Sequence, residues 1–416
     1  MAPYSASRTP LITAIALAAG PWAHGEGFRS PTLGAQGLAL AGGRRAFIED
    51  ASAAWHQPAN LTALQRWEAS AEATFVHHSV DFTSGAGLGA ASTVDPWKFL
   101  PSFFAGGPVE DRFFAGISVT APYGLGINWD RNGAFRYTAP YETALQTLNV
   151  GPSIAYKVND QLSVSAGLDV LWGELKFRQA VPWGLLAGGL PLPDGNVAAA
   201  GDGLAFGGNV SATWEFRPGT RVALGVRLPT QLNMDGRLEA SQVPLAGNLG
   251  FNFGTALETP TVVTVGLGHR CSDRFTVQAD LEWIQFSRFE TLPIRVDAPP
   301  GVSLPGLGDI RQDWRDTVTA GLTGEWKLGE EWRLRGGYQY FMTPVPDSTM
   351  SPLIPDANQN VVTAGLSWRH GSHRVDASYA HVFYDDRVIT ANQNAAYLGR
   401  YSIDVHLISA AYGYSF

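Results

Sequence analysis

Apolar and polar residues alternate with a period of two over most of this chain. The clearest case is Trp314–Tyr340. Trp314, Val318, Ala320, Leu322, Trp326 and Leu328 share one parity, and Arg315, Thr317, Thr319, Thr323, Glu325 and Lys327 share the other. After Gly329-Glu330-Glu331 the alternation resumes, with Trp332, Leu334, Tyr338 and Tyr340 set against Arg333, Arg335 and Gln339. Successive side chains of a strand point to opposite faces, so two such runs around a short polar break predict an antiparallel hairpin. One face of it is charged, and the other carries tryptophans on both sides of the turn.

From Trp67 onward the same alternation predicts fourteen strands. The first carries Trp67, Ala69, Ala71, Ala73 and Phe75 on one face; the second is Trp97–Ala105; the third runs from Phe113 to Val119-Thr120. The fourth spans Leu148–Val158, the fifth Leu162–Trp172, the sixth Leu204–Phe216, the seventh Val222–Leu238, the eighth Thr261–Arg270 and the ninth Phe275–Trp283. The hairpin supplies the tenth and eleventh, and Val362–Trp368, Val375–Phe383 and Tyr401–Phe416 complete the set. Short connections alternate with long ones of roughly 12 to 25 residues, and the apolar rows are about ten residues long. An even strand number with turns at one end and loops at the other describes an all-β, 14-stranded antiparallel transmembrane β-barrel. Closure removes both sheet edges, which hydrocarbon would leave unsatisfied. Trp67, Tyr156, Trp214, Trp326 and Trp332 fall near the turns, where an interfacial aromatic girdle belongs.

The two ends of the chain add an address. Arg8, the apolar run Leu11–Ala19 and the small residues Ala18, Gly20 and Ala23 predict a secretory signal peptide over 1–23. Residues 24–65 are glycine-punctuated and not strand-like, and predict a compact N-terminal element before the barrel of 66–416. At the other end Ile408, Ala410, Tyr412, Tyr414 and the terminal Phe416 share a face, resembling the signal by which bacterial outer-membrane barrels are taken up by the insertion machinery. Composition agrees. Charged residues are 16% of the chain, below the roughly 25% of soluble domains. The net charge of −8, without a Lys/Arg stripe, argues against nucleic acid. Cys271 is the single cysteine, so no intrachain disulfide forms.

Catalytic chemistry finds little support. His77, His78, Ser79 and Asp81 are the residue types of a hydrolase triad, but strand neighbours point to opposite faces and cannot converge locally. Asp280 and Glu282 share a lumenal face, a pattern that a solvated barrel wall also supplies. No spacing of metal ligands and no phosphate loop stands out, so neither an enzyme nor a cofactor is expected.

Binding is better supported. The loop Ala180–Pro193, with Trp183, Leu185 and Leu186, carries no charge; neither does Val243–Phe253, with Leu245, Phe251 and Phe253. Exposed apolar loops mark a binding surface, or a lid if they fold on each other. Ala121-Pro122-Tyr123-Gly124 interrupts the third strand, where proline cannot donate to the ladder and glycine allows a bulge. The strand either ends at Pro122 or continues with a gap beside it. Arg315, near the outer end of the tenth strand, and Arg178, ending the fifth, are placed to pair with a carboxylate, whether a ligand's or the wall's.

These features together resemble the FadL/TodX family of outer-membrane transporters for long-chain fatty acids and other hydrophobic compounds. The resemblance rests on Gly27-Phe28, Leu33-Gly34, Asp50 through Gln57-Pro58-Ala59, Ser118-Val119-Thr120 followed by Tyr123-Gly124-Leu125, and Trp283–Phe286. It rests further on Asp316-Thr317, Arg335-Gly336-Gly337, Thr343–Asp347 and Ile354-Pro355-Asp356. Gln57 stands where the family usually has asparagine. The resemblance implies an N-terminal hatch inside the barrel, capture in an apolar groove between the two loops, and an internal pocket with Arg315 and Arg178 at the head group. It also implies sideways release through the third-strand kink at Pro122 and Gly124, gated by Phe28 with Gln57 and Pro58 in the hatch. The expected cargo is a long-chain fatty acid; the alternatives are a neutral hydrocarbon or, with a polar constriction, the solutes of a general aqueous porin. Outer-membrane lipid and lipopolysaccharide are the expected surroundings, and the protein is expected to be monomeric.

Overall fold

The computed structural model describes residues 26–30, 33–87, 89–299 and 308–416. The signal peptide expected over 1–23 lies outside them. Among the described residues no helix is long and apolar enough to cross a membrane; the crossing elements are strands. In chain order they are β1 (Glu68–Ser84), β2 (Trp97–Pro108), β3 (Phe113–Thr120), β4 (Glu142–Lys157), β5 (Leu162–Val181), β6 (Gly195–Arg217) and β7 (Thr220–Arg227). The second half consists of β8 (Val262–Arg270), β9 (Phe275–Ile284), β10 (Thr317–Lys327), β11 (Trp332–Phe341), β12 (Gln359–His370), β13 (His373–Tyr384) and β14 (Gly399–Ser415). Each pairs antiparallel with the next. β14 returns to β1 in a ladder from Glu68↔Ser415 to Ser84↔Gly399, which closes the fourteen-stranded barrel.

Residue parity decides which face meets what. On β10 and β11, Leu322, Trp326, Leu334 and Tyr338 are exposed on the outside, while Thr319, Thr323, Arg335 and Gln339 are buried inside. A sheet that exposes leucine and tryptophan and buries arginine is inverted relative to a soluble protein, as lipid on the outer face requires. Trp314 breaks this rule. β10 begins at Thr317, and Arg315 and Asp316 are both exposed. The two consecutive outward residues flip the phase and turn Trp314 into the interior, where it is 3% exposed.

Three predicted strands need correction. β5 and β6 are longer than expected, at 20 and 23 residues, whereas about ten residues span the hydrocarbon; their outer halves rise above it. β7 is shorter, ending at Arg227 rather than Leu238. Pro229 follows, without an N–H for the ladder, and the chain leaves the wall. It then forms a hairpin, Gln231–Val243 against Gly247–Glu258, which pairs with the outer half of β6 from Asp235↔Asp202 to Ser241↔Asn196. Most of the segment expected as an uncharged loop is therefore a sheet standing above the membrane.

Residues 33–65 occupy the lumen with three short turns of helix, Ala35–Ala39, Ala53–His56 and Pro58–Ala63. Their contacts reach all round the wall. Gly42 (φ 93°) lies so near β10 and β11 that a Cβ there would sit 2.2 Å from the Tyr338 carbonyl oxygen. The backbone N–H of Arg44 donates to Asp280 on β9 at 2.8 Å. Arg374 on β13 pairs with Asp50 (3.1 Å) and with Glu68 and Asp376. Asp280 and Glu282 are thus buried partners of the N-terminal element; the solvated wall expected for them is absent because Arg29, Arg44 and Arg45 cover them.

Candidate functional site

A cavity of about 400 Å³ lies in the outer half of the barrel, within the size range of small-molecule sites. Eight separate segments build it, that of Phe28 among them. Leu125 comes from the resumed third strand, Leu145 from β4, Leu175 and Phe177 from β5, and Met234 and Leu257 from the hairpin. Leu292 and Ile294 belong to the long connection after β9, Met350 and Ile354 to that after β11, and Tyr397 to that before β14. The lining is aliphatic and aromatic over most of its extent. Among the described residues its charged ones are Asp309 and Arg311, and Arg311 is paired with Asp313 at 2.6 Å.

Phe28 also lines the cavity, and four aromatic side chains hold it. Trp314 stacks on it at 5.2 Å and 26°, and Phe289, Phe286 and Tyr123 meet it edge-on at 5.2, 5.9 and 5.9 Å. Such pairs add about 0.5–1.5 kcal/mol each beyond the area they bury. Gly27 (φ 59°) permits this approach: a Cβ there would fall 2.4 Å from the Trp314 ring. Phase reversal at Arg315–Asp316, which sends Trp314 inward, is thus what makes the seat for Phe28.

The segment around Phe28 is also a strand partner for the kink. Pairing of β3 with β2 stops at Phe103↔Val119. With β4 it passes Thr120↔Asn149, slips by one residue, and resumes over Gly124–Asn128 from Gly124↔Gln146. Among the described residues, Trp97–Ser102 of β2 have no partner on that side, so the wall has a window there. Thr93↔Trp129 and a bond from Val94 N–H to the Asn128 carbonyl (2.7 Å) close it above. The free edge of the kink is taken by the N-terminal segment: Gly124 N–H donates to the Phe28 carbonyl and Ser30 N–H to the Pro122 carbonyl, both at 2.8 Å. The strand therefore neither ends at Pro122 nor runs through it unbroken.

Below Phe28 the lumen is ionic. Arg29 reaches Glu282 at 2.7 Å and Glu26 at 3.2 Å, and Glu282 also receives Arg45 (2.7 Å) and Arg44 (3.1 Å). Glu26 accepts from the hydroxyls of Thr317 (2.6 Å) and Thr319 (3.2 Å). Its burial outweighs the attraction of Arg29, and its carboxyl is pushed up to about 7. On the other side of the segment Asp356 accepts from Gly27 N–H at 3.3 Å and from the Thr343 hydroxyl at 2.8 Å. Burial pushes that carboxyl up to about 6.

The expected site residues fall into three groups. Phe28 lines the cavity, Gly124 bonds to its carbonyl, and Gln57, Pro58 and Pro122 line a second, polar cavity of about 50 Å³ beneath, with Arg29 and Tyr123. Gln57 donates there through Nε2 to the Ala212 and Leu224 carbonyls at 2.9 and 3.1 Å, while its buried Oε1 meets no donor among the described residues. The second group is the apolar loops. Trp183, Phe251 and Phe253 join Phe177 and Leu238 in a buried cluster above the cavity, with Trp183 Nε1 donating to the Ser241 carbonyl at 3.0 Å. Leu185, Leu186 and Leu245 stand exposed around it. None of these six lines the cavity itself.

The third group is the two arginines, and both need correction. Arg178 has the outward parity of β5; it is exposed and paired with Glu142 at 3.3 Å, while its neighbours Phe177 and Gln179 face the cavity. Arg315 is exposed because it lies before β10 starts, in the phase break. Neither lines the cavity. Arg311, which does, was missed: it sits in a long connection where strand parity gives no signal.

Comparison with known proteins places this architecture. Residues 14–416 match the family described as outer membrane protein transport protein (OMPP1/FadL/TodX). The chain belongs to that family. A long-chain fatty acid transport protein of Escherichia coli O6:H1 is 26% identical over 90% of this chain and 91% of its own length. A putative outer membrane protein of Neisseria meningitidis serogroup B is 26% identical over the full length of both. Among solved structures, a Pseudomonas aeruginosa FadL homologue superposes with a TM-score of 0.81 over 94% of this chain and all of its own, at 22% identity. The Pseudomonas putida toluene transporter TodX gives 0.72 over 93% and 99%, at 17% identity. These likenesses establish the fold. Family membership makes this an outer-membrane transport protein of the FadL/TodX type, in a family of channels rather than enzymes.

Proposed function

We propose that the protein carries long-chain fatty acids passively through the outer membrane. In this reading the exposed leucines of the apolar loops collect an acyl chain, the cavity holds it, and it leaves sideways through the window between β2 and the kink. The observation that carries the reading is the double role of one segment: Phe28 is the floor of the cavity, and its own backbone seals the edge of the window. Moving residues 26–30 removes both barriers together. Burying an acyl chain gains about 0.8 kcal/mol per methylene, enough for capture without an energy source, and cargo that prefers the displaced segment shifts its population. The fatty-acid assignment draws on the names of the curated relatives. Phe416, exposed at the inner end of β14, is offered to the barrel-insertion machinery.

A second reading, a neutral hydrocarbon as cargo, is favoured by one observation: the cavity's lining cation, Arg311, is already paired with Asp313. Oleate and toluene binding to the detergent-solubilised protein separates the two, since only the first should respond to Arg311→Ala. The release route has its own test. Arg29 and Tyr123 are directly bridged partners, a spacing that a disulfide can span. With Arg29→Cys and Tyr123→Cys in a Cys271→Ser background, oxidation should leave oleate binding intact and stop uptake by cells, and reduction should restore uptake. Uptake at an unchanged rate in the oxidised protein would exclude this route.

A further inference from the structure

β13, β14 and β1 are consecutive in the wall, and their register sets three imidazoles in one row. His381 lies opposite His406, and His406 opposite His77 across the seam where the barrel closes. All three have outward parity and are half-buried, whereas the neighbouring Val382, Val405 and Val76 are buried inward. His406 lies about nine residues above the inner end of β14, or about 30 Å along the strand. At a tilt of roughly 40° that places the row near the outer boundary of a hydrocarbon band about 25 Å tall, at head-group level.

Asp404 joins the row from two residues away on the same face. Its Oδ1 lies 3.1 Å from His381 Nε2 and its Oδ2 lies 3.0 Å from His406 Nε2. The two rings are stacked, with centroids 4.2 Å apart and 19° between planes. One ligand atom from each of the three residues falls within a span of 4.8 Å. The far side of the His406 ring is fixed as well: Nδ1 meets the Tyr379 hydroxyl at 2.8 Å, so that Nε2 faces Asp404. Metal-binding histidines are typically oriented by such a bond on the other nitrogen.

We propose that His381, His406 and Asp404 form a binding site for a divalent transition-metal ion of the Zn²⁺ class on the outer wall. Two imidazole nitrogens and a carboxylate are a suitable donor set, and the outward side leaves a fourth position open to water. Cross-strand neighbours are near enough for rotation of the side chains to bring the donors to about 2.0–2.2 Å from one ion. Binding displaces any proton carried by each Nε2. His77, whose ring is 6.2 Å from that of His406, stands across the closing seam as a further imidazole on the same face. Spacing along the sequence does not reveal this set, because the two histidines meet only through strand register.

The test is titration of the tag-free barrel in detergent with zinc chloride, without chelating buffer, by calorimetry. One ion per barrel with micromolar affinity is expected. His381→Gln, His406→Gln and Asp404→Asn should each weaken it at least about tenfold, and the double histidine variant should abolish it. His370→Gln, at the other end of the barrel, should change nothing. Cu²⁺ in place of Zn²⁺ should show electron-spin coupling to two nitrogens, which the single histidine variants reduce to one. Absence of saturable binding at millimolar Zn²⁺ would overturn the proposal, as would binding that survives in a double variant whose heat-modifiable migration shows an intact barrel.

Discussion

Above Phe28 the lumen is an apolar chamber whose charged residues, Asp309 and Arg311, belong to the connection after β9; below it three guanidiniums converge on the single carboxylate of Glu282. Both halves are buried, yet they hold their contents in different ways. The upper half offers dispersion and hydrophobic burial, which suit any long apolar molecule and impose little direction. The lower half offers charge pairs away from water, which bind one arrangement and penalise every other. The segment 26–30 straddles the boundary: Phe28 is held as the chamber would hold a ligand, and Arg29 as the ionic floor holds the rest of the N-terminal element. A segment held partly by nonspecific apolar contacts is one that an apolar ligand can compete with.

The ionic floor should be the more costly half to damage. Glu282→Gln leaves Arg29, Arg44 and Arg45 facing one neutral amide, and removing one partner of a buried charge pair costs about 3–5 kcal/mol. The expected result is a lower unfolding midpoint in detergent, together with faster amide exchange through both 26–30 and 33–45. An unchanged midpoint would mean that water already reaches this network and that the two halves do not differ as described.

Phe28→Ala attacks the boundary from the other side. Truncating a buried phenylalanine costs about 3–5 kcal/mol, but here the loss should stay local, because the ionic contacts of Arg29 remain. Exchange at the Gly124 amide, which donates to the Phe28 carbonyl, should accelerate while the global midpoint stays within about 0.5 kcal/mol, as for additive, independent regions. If the midpoint falls as far as in Glu282→Gln, the segment and the floor are one cooperative unit and the comparison fails.

The barrel was legible in the sequence because lipid, lumen and strand pleat all impose the same period of two. Arg178 was legible too. It shares even parity with Leu162, Val164 and Trp172, and that parity alone assigns it to the outside; the likeness to a family head-group ligand pointed the wrong way. Arg315 was not legible in that manner, since its odd parity matches the inward Thr317 and Thr319, and only the two-residue phase break reverses it. Nor could the cavity be read. Its lining comes from eight stretches, three of them connections without periodicity and a fourth the segment of Phe28, and their meeting depends on tertiary packing. The same limit hid the hairpin after Pro229, whose alternation continues that of β7 although the wall does not.

Proton occupancy acts on the boundary segment as well. Seated, Glu26 titrates at about 7, against a released-state value of 4.5; Asp356 shifts in the same direction, to about 6. A carboxyl that holds its proton more tightly when seated favours the seated form fully below about pH 4.5 and progressively less as pH rises through about 7. The groups facing Glu26 are Arg29, Thr317, Thr319 and Glu282, of which Arg29 remains charged throughout. A nitroxide at Ser30→Cys, with Cys271→Ser, should therefore become more mobile from pH 5 to pH 8. Glu26→Gln should remove most of that change and keep the label restrained. Equal mobility at both pH values in the parent would show that the segment's seating is insensitive to this carboxyl.

The smallest effect concerns the chamber's charge. Arg311 is largely exposed and already paired with Asp313, and exposed pairs contribute about 0–1 kcal/mol. A fatty carboxylate exchanging into that pair gains little, so Arg311→Ala should weaken oleate binding by no more than about fivefold and leave toluene binding unchanged. Arg315→Ala should be silent for both ligands, because its side chain lies outside the cavity. A loss larger for Arg315→Ala than for Arg311→Ala would mean that the connection before β10 folds inward when cargo is present, carrying a cation into the chamber. The upper half would then acquire its charge only on binding, and the contrast with the floor would describe the empty protein alone.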